Sequence, residues 1–299
     1  MNSRVPVTTE IHSHRRLNII IPARNEETGL ADLIPGLRRR FPDATIIVVN
    51  DGSTDASARV CEINGITLVN HPYRKGNGAA IKSGTRAAIG DILVFMDADG
   101  QHRPEDIERL LAKLDEGYDM VVGARTRGSQ AGVHRAVGNA FYNRLASWMT
   151  GQSIQDLTSG FRAVRAEKFR QFLYLLPNGF SYPTTITMSF FRAGYSVAYV
   201  PIFAPKRTGK SHLRLFHDGA RFFLIIFRIG ALYSPLKLFF PLSLMCFALA
   251  SGHYAYTFIT SGRFTNMSAL LFITSILIFL LGLVAEQITM LMYQSHERQ

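Results

Sequence analysis

An α/β domain on a mostly parallel sheet, followed by a two-helix transmembrane hairpin, is the fold class this sequence predicts. Three observations carry the prediction. Short Ile- and Val-rich runs alternate with amphipathic stretches from Leu17 to Val122. Polar and acidic clusters follow the ends of those runs, as at Asn50-Asp51 and Asp97-Ala98-Asp99. From Leu236 onward the chain turns into two long, charge-poor segments. Buried parallel strands read as continuous apolar runs, and their alternation with amphipathic stretches is the signature of βαβ units.

Residues 1–16 form a polar N-terminal tail without the apolar core of a signal peptide, so the soluble part is expected to stay in the cytoplasm. Strands are expected at Leu17–Ile21, Thr45–Val49, Ile66–Val69, Ile92–Met96 and Met120–Val122. Helices are expected between them at Gly29–Arg40, Asp55–Ile63, Gly78–Ala88 and Pro104–Glu116. Ser53 and Thr54 mark the entry to the second helix, and Pro104 suits the first turn of the fourth. The less regular stretch that follows is expected to hold a helix around Asn139–Thr150 and strands near Phe161–Val164 and Val197–Val200.

The apolar tail comes next. Arg221–Ile229 is apolar with arginines near its ends, which suits an interfacial helix within a juxtamembrane region of residues 213–235. Residues 236–299 then hold two candidate spans, Leu238–Ile259 and Ala269–Met292, joined by the short loop Thr260–Ser268. The first has no formal charge over about 22 residues, enough to cross a ~30 Å hydrocarbon core at ~1.5 Å per residue. Glu286 lies near the end of the second span, where an acid is either functional or reaching the headgroups. A buried hairpin in a soluble protein is disfavoured, because such lengths are unusual there without polar faces.

The formal net charge is +11, and Lys206, Arg207, Lys210, Arg214, Arg221, Arg228 and Lys237 crowd just before the first span. Basic residues beside a bilayer are drawn to anionic headgroups, so a membrane is a better partner than nucleic acid, for which no binding motif is present. The same flank predicts both termini on the cytoplasmic side. The chain has 2 cysteines, Cys61 in a helix and Cys246 in the tail, which are no disulfide framework.

Ligands of open α/β sheets sit beyond the carboxyl ends of the strands. Asp97 and Asp99 fall there, at the end of a wholly apolar strand, with Gln101 close behind. Such carboxylates are hard oxygen ligands suited to Mg²⁺ or Mn²⁺, and Gln101 offers a neutral oxygen; a capped turn is the alternative. Asp51 is placed to accept hydrogen bonds from a base or ribose. Lys75-Gly76-Asn77-Gly78-Ala79-Ala80 is glycine-rich without the Walker A spacing, and serves either backbone approach to a ligand or a flexible connection. A dinucleotide fold is excluded, since Ala23-Arg24-Asn25 stands where G-x-G-x-x-G would follow the first strand.

Seven blocks, in order, resemble glycosyltransferase family 2, and within it the polyprenyl-phosphate glycosyltransferases typified by dolichyl-phosphate mannose synthase. They are IPARNEE, VVNDGSTD, KGNGAAIKSG, MDADGQHRP, VVGARTRG, DLTSGFRAVR and KRTGKSH. The resemblance covers about residues 17–215 and implies a single nucleotide-diphospho-sugar transferase domain of GT-A type over residues 17–212. It places Pro22, Arg24 and Glu26 around the nucleotide with Lys75, and Asp51 at the base. It assigns Asp97, Asp99 and Gln101 to the metal, Ala98 to backbone contact with the donor, and Arg125 to the phosphates. Lys206, Arg207, Lys210, Ser211 and His212 would close over the donor diphosphate and the acceptor phosphate. The family pattern there is Arg, Gly, then Ser-Lys; here Lys206 or Arg207 takes the arginine role and His212 replaces the lysine. Asp156 matches the mannose-synthase pattern DLT, with a role at the acceptor or sugar or as a structural turn.

The resemblance implies inverting transfer of a hexose from GDP-mannose or a UDP-sugar to dolichyl or undecaprenyl phosphate at the cytoplasmic face. A lipid phosphate is already an anionic nucleophile, with a second pKa near ~6, so a strong general base is dispensable. The competing expectations are a family 2 transferase acting on a saccharide or glycerolipid, and a non-catalytic membrane subunit. Association into a homo-oligomer through the hairpin is a further expectation.

Overall fold

The computed structural model describes residues 16–126, 133–179, 181–203, 227, 230–231 and 233–294. The expected interfacial helix at 221–229 lies outside the described residues except for Phe227. The chain divides into two compact units. The first comprises Met1–Val137, Thr158–Ile186 and Tyr195–Gly209; the second comprises Gly138–Leu157, Thr187–Gly194 and Lys210–Gln299.

A seven-stranded sheet organises the first unit. In chain order its elements are β1 (Leu17–Ala23), α1 (Glu27–Arg40), β2 (Thr45–Asn50), α2 (Ser57–Ile63), β3 (Thr67–Asn70), α3 (Asn77–Ala87), β4 (Ile92–Phe95), α4 (Pro104–Asp115) and β5 (Met120–Arg125). After α5 (Val133–Thr150), most of which belongs to the second unit, come β6 (Arg162–Arg165), α6 (Ala166–Arg170), α7 (Tyr182–Arg192), whose residues from Thr187 onward belong to the second unit, and β7 (Val197–Ile202). The strand order is β3-β2-β1-β4-β6-β5-β7, and β6 runs antiparallel to both its neighbours while the remaining pairs are parallel.

Both faces of the inner strands are buried, which explains their lack of polar alternation, while the edge strands β3 and β7 are partly exposed. Ile19, Ile21, Val48 and Val94 join Leu30, Ile34 and Leu37 of α1 and Ile107, Leu110 and Leu114 of α4 in one core. On the other face α3 approaches so closely that a Cβ on Gly84 would lie 2.5 Å from Ile20 Cγ2. Phe95 packs against Phe169 of α6, the rings tilted by 35° with 4.7 Å between their centres. Cys61 is fully buried, and burial pushes its thiol up to about 11, so it packs as a small apolar side chain.

The second unit holds α8 (Pro235–Ser261) and α9 (Asn266–Gln294). Both are long and apolar enough to cross a membrane by length and composition. Pro235 opens α8, and Gly262 closes it in the left-handed region (φ 61°) with its N–H on Phe258 O. The two helices pack tightly where Gly282 meets Phe239, since a Cβ on Gly282 would lie 2.6 Å from that of Phe239. Ser275 Oγ donates to Ser243 O at 2.8 Å. Glu286 has partners within this unit: its carboxylate accepts from Leu236 N–H (3.2 Å) and Ser234 Oγ (3.3 Å), and Arg192 Nη2 lies 3.6 Å away. A carboxylate at the first turn of α8 satisfies an otherwise unpaired N–H and complements the helix dipole.

Candidate active site

The loops after β1 and β2 are interlocked by their own polar residues. Asn25 adopts the left-handed region (φ 54°), which asparagine tolerates better than most side chains. Its N–H donates to Ser53 Oγ (3.0 Å), and its Oδ1 accepts Thr54 N–H (2.8 Å). Glu26 N–H reaches Ser57 Oγ (3.0 Å), and Glu27 N–H reaches Asp55 Oδ2 (3.2 Å). The helix entry therefore differs from the sequence expectation. Helix α2 begins at Ser57, and Asp55, not Ser53 or Thr54, takes the Ser57 N–H (3.0 Å) and hydroxyl (2.6 Å). Asn25→Ala should cost about 1–2 kcal/mol, from a poorer left-handed residue and lost hydrogen bonds. A thermal melt of the purified protein checks this; an unchanged melting temperature rules the interlock out as a source of stability.

Asp51 follows β2 directly and is 5% exposed. Its Oδ1 accepts from His71 Nδ1 (2.8 Å) and Lys75 N–H (2.7 Å), and its Oδ2 from Gly76 N–H (2.9 Å). A carboxylate only accepts, so His71 carries a proton on Nδ1, and its Nε2 faces Ser83 Oγ at 2.8 Å. Burial pulls the Asp51 pKa up, but the bonds from His71, Lys75 and Gly76 outweigh it, and the group sits below its ordinary value. The stability this lends is present above the unfolded pKa of about 4 and is lost as pH falls through the lower folded value. Melting temperature followed against pH should therefore drop below about pH 4, and Asp51→Asn should flatten that part of the curve. An unaltered acid limb in the variant would falsify the assignment.

The glycines at 76 and 78 serve protein contact. Gly76 has φ +106°, and a Cβ there would lie 2.5 Å from Asn178 O; one on Gly78 would lie 1.9 Å from Pro177 O. Ala79 N–H donates to Asn178 O (2.9 Å), and Lys82 Nζ reaches Leu176 O (3.2 Å) and the Asn178 side chain. Backbone-to-backbone approach to the 176–179 turn is what demands glycine here. Lys75 anchors Asp51 through its backbone, while its ammonium lies 5.8 Å from the Tyr73 ring centre.

The acidic turn follows β4. Asp97 N–H donates to His102 Nδ1 (3.0 Å), so the ring proton is on Nε2, the imidazole is neutral, and the 4.0 Å approach of Asp97 Oδ2 is no ion pair. His102 is buried and stacked on Phe161 at 4.7 Å between ring centres. Gln101 N–H donates to Asp99 Oδ1 (3.2 Å), folding Gln101 back over the second carboxylate. Two close approaches confine this turn. A Cβ on Gly29 of α1 would lie 2.0 Å from Ala98 O, and one on Gly160 would lie 3.4 Å from both Asp97 Oδ2 and Tyr182 Oη. Tyr182 donates to Gly160 O (3.0 Å), and burial raises its phenol well above the usual range, so it stays a donor. Beneath it the fully buried Arg162 donates to Pro183 O (3.2 Å) and to Ser159 O, its guanidinium 5.7 Å from the Tyr182 ring centre.

Pro22, Arg24, Asp51 and Asp97 thus line one cleft of about 170 Å³ with Ala23, Arg74, Asn77 and Ala80. Ala98, Asp99 and Gln101 continue the turn that supplies Asp97. Glu26 is half-buried at the entrance to α1, and Arg125 ends β5 with its Nη2 on Thr158 Oγ1 (2.6 Å). Asp156 is buried in the second unit. Lys206, Arg207, Lys210, Ser211 and His212 lie outside the described residues. Gly29, His71, His102, Gly160 and Tyr182 carry no role in the sequence motifs; their signal is tertiary, because each meets a residue distant in the chain.

Among the described residues no cluster of three or more His, Cys, Asp or Glu forms. Asp97, Asp99 and Gln101 stand close together along the turn after β4 and offer two carboxylates and a neutral amide oxygen. Two carboxylates with an incomplete shell fit Mg²⁺ or Mn²⁺, which are commonly completed by water and substrate phosphate.

Residues 18–173 match the model for glycosyl transferase family 2. The chain belongs to glycosyltransferase family 2. Residues 234–291, which span most of α8 and α9, match the GtrB C-terminal hairpin. The family 2 relatives include the glycosyltransferase AglJ of Haloferax volcanii, 30% identical over 227 residues and 74% of either chain. An undecaprenyl-phosphate 4-deoxy-4-formamido-L-arabinose transferase of Klebsiella pneumoniae is 35% identical over 167 residues, spanning about half of each chain (50% and 49%). Among solved structures, glucosyl-3-phosphoglycerate synthase of Mycobacterium tuberculosis, in complex with Mn²⁺, UDP-glucose and phosphoglyceric acid, superposes with a TM-score of 0.60. It is 22% identical, with 73% of this chain and 79% of that one covered, a likeness of fold. Family 2 membership and the GT-A fold are as the motif order implied.

Proposed function

We propose that this family 2 enzyme transfers a hexose, with inversion, from a nucleotide-sugar to a polyprenyl phosphate at the cytoplasmic membrane face, held there by the α8–α9 hairpin. The observation that carries the reading is the acidic Asp97–Asp99 turn opening on the Arg24- and Asp51-lined cleft, in a chain that ends in two span-length helices. The Klebsiella relative, whose name specifies undecaprenyl phosphate, supports the acceptor class.

In this reading Pro22, Arg24, Glu26 and Lys75 surround the nucleotide, and Asp51, pre-oriented by His71, receives the base. Asp97, Asp99 and Gln101 hold Mg²⁺ or Mn²⁺, which supplies Lewis-acid neutralisation of the departing diphosphate. Ala98 contacts the donor through its backbone. Arg125, oriented by Thr158, and the basic loop of Lys206, Arg207, Lys210, Ser211 and His212 add positive charge around the donor and acceptor phosphates. A phosphate oxygen of the lipid forms the new bond to the anomeric carbon as the bond to the nucleotide diphosphate breaks. The acceptor is already anionic, so no strong base is required, and Asp156 acts on the acceptor or sugar side by orientation.

Membranes containing the protein, supplied with labelled GDP- and UDP-hexoses and polyprenyl phosphate, should yield a mild-acid-labile lipid-linked sugar. Removing the acceptor phosphate beforehand should abolish it. Equal transfer to the dephosphorylated lipid, or to a saccharide or diacylglycerol alone, overturns the acceptor assignment.

A further inference from the structure

Helix α5 carries an exposed face that family membership does not account for. Arg144 and Trp148 are four residues apart on one side and both exposed, whereas Tyr142, Ala146 and Met149 on the other side are buried. Trp148 is 52% exposed and is the single tryptophan of the chain. One exposed apolar side chain is ordinary by itself. The position of this one is not, because the second unit ties it to the first span. Lys237, in the first turn of α8, donates from Nζ to Met149 O at 2.8 Å, and Met149 is next to Trp148. The exposed apolar surface of α8 begins at Phe240, about 4.5 Å further along the helix axis at ~1.5 Å per residue. Glu286 and Arg192 add polar groups at the same first turn of α8, where the Glu286 carboxylate accepts from Leu236 N–H. An indole and a guanidinium at that level are the side chains that partition to a headgroup layer, and the cation suits anionic lipid.

We propose that the Arg144–Trp148 face of α5 rests in the lipid headgroup layer, a membrane contact made by the chain outside its hairpin. The proposal rests on α8 and α9 being membrane spans. The contact also places a reactive segment. Asn143 on the same helix pins the turn around Asp156, donating to Gln155 O (2.7 Å) and accepting from Leu157 N–H (3.0 Å). Docking α5 on the headgroups therefore holds Asp156 near the depth at which a lipid phosphate presents itself.

The unmodified full-length protein suffices for the test, since its one tryptophan is the reporter. It is reconstituted into phosphatidylcholine–phosphatidylglycerol vesicles with and without lipid brominated at the shallow 6,7 positions. Tryptophan emission should fall roughly twofold with the shallow label and less with an 11,12-dibrominated lipid, as an interfacial indole requires. Flotation with the vesicles after a carbonate wash reports the spans separately. Protein that floats but keeps its emission, whether Trp148 faces water or a second copy of the chain, overturns the headgroup contact alone. Stronger quenching by the deeper label also overturns it. Protein that fails to float overturns the span reading on which it rests.

Discussion

Asp99→Asn is expected to lower transfer to polyprenyl phosphate by roughly 10²–10³-fold, about 3–4 kcal/mol of transition-state stabilisation. The change removes one negative charge and one hard oxygen, and it keeps the shape. The carboxamide oxygen can still accept the Gln101 N–H that Asp99 Oδ1 now holds, so the turn should persist. Asp99 is half-exposed and outside the core, so melting temperature and membrane insertion should not move. Raising Mg²⁺ or Mn²⁺ should recover part of the rate, because the lost group is a ligand in this reading. Wild-type transfer by the variant in excess chelator would sink the cation role of the whole turn.

Gly29→Ala should act on the same turn from the other side. Its new Cβ would meet Ala98 O at 2.0 Å, more than an ångström inside ordinary contact, and both are backbone-anchored. Either α1 retreats or Ala98 moves, and Ala98 lies between the two carboxylates. Alanine is the better helix former by about 1 kcal/mol, but overpacking costs about 1–3 kcal/mol, so the clash decides the sign. A displacement of about 1 Å at a catalytic group can cost about 10²-fold in rate. The expected result is a lower melting temperature together with a fall in kcat of that order. A variant as active and as stable as the parent would show that this contact does not set the geometry of the turn.

The elements that bury apolar residues with a clear period were legible in the sequence. The first five strands, the four helices between them and the two long apolar helices all appear within a few residues of their expected ends. So do β6 and β7. Helices α6 and α7 were not anticipated, because Ala166–Arg170 is only five residues long and Tyr182–Arg192 is rich in Thr and Phe, which favour strands. At the site, the motif order brought out Pro22, Arg24, Asp51 and Asp97, which the fold gathers into one cleft. It could not reveal that Asn25, Ser53 and Asp55 are spent holding two loops together, nor that Gly76 and Gly78 make room for residues 176–179. Those needs arise between segments far apart in the chain, which no local pattern encodes.

The antiparallel β6 also sets an order of assembly. Strands β1, β2 and β3 pair with neighbours made early, but β5 has only β6 and β7 to pair with, and β4 offers β6 its second edge. Until Arg162–Arg165 leaves the ribosome, β4 presents an open row of N–H and C=O groups just before the acidic turn, and β5 has no partner in the sheet. Long-range pairing of this kind is slow, and bare edges recruit other chains. A nascent chain of this enzyme is therefore most exposed to edge-to-edge aggregation while residues 126–161 are emerging from the ribosome, and β6 closes that window by wedging between two strands that were synthesised before it.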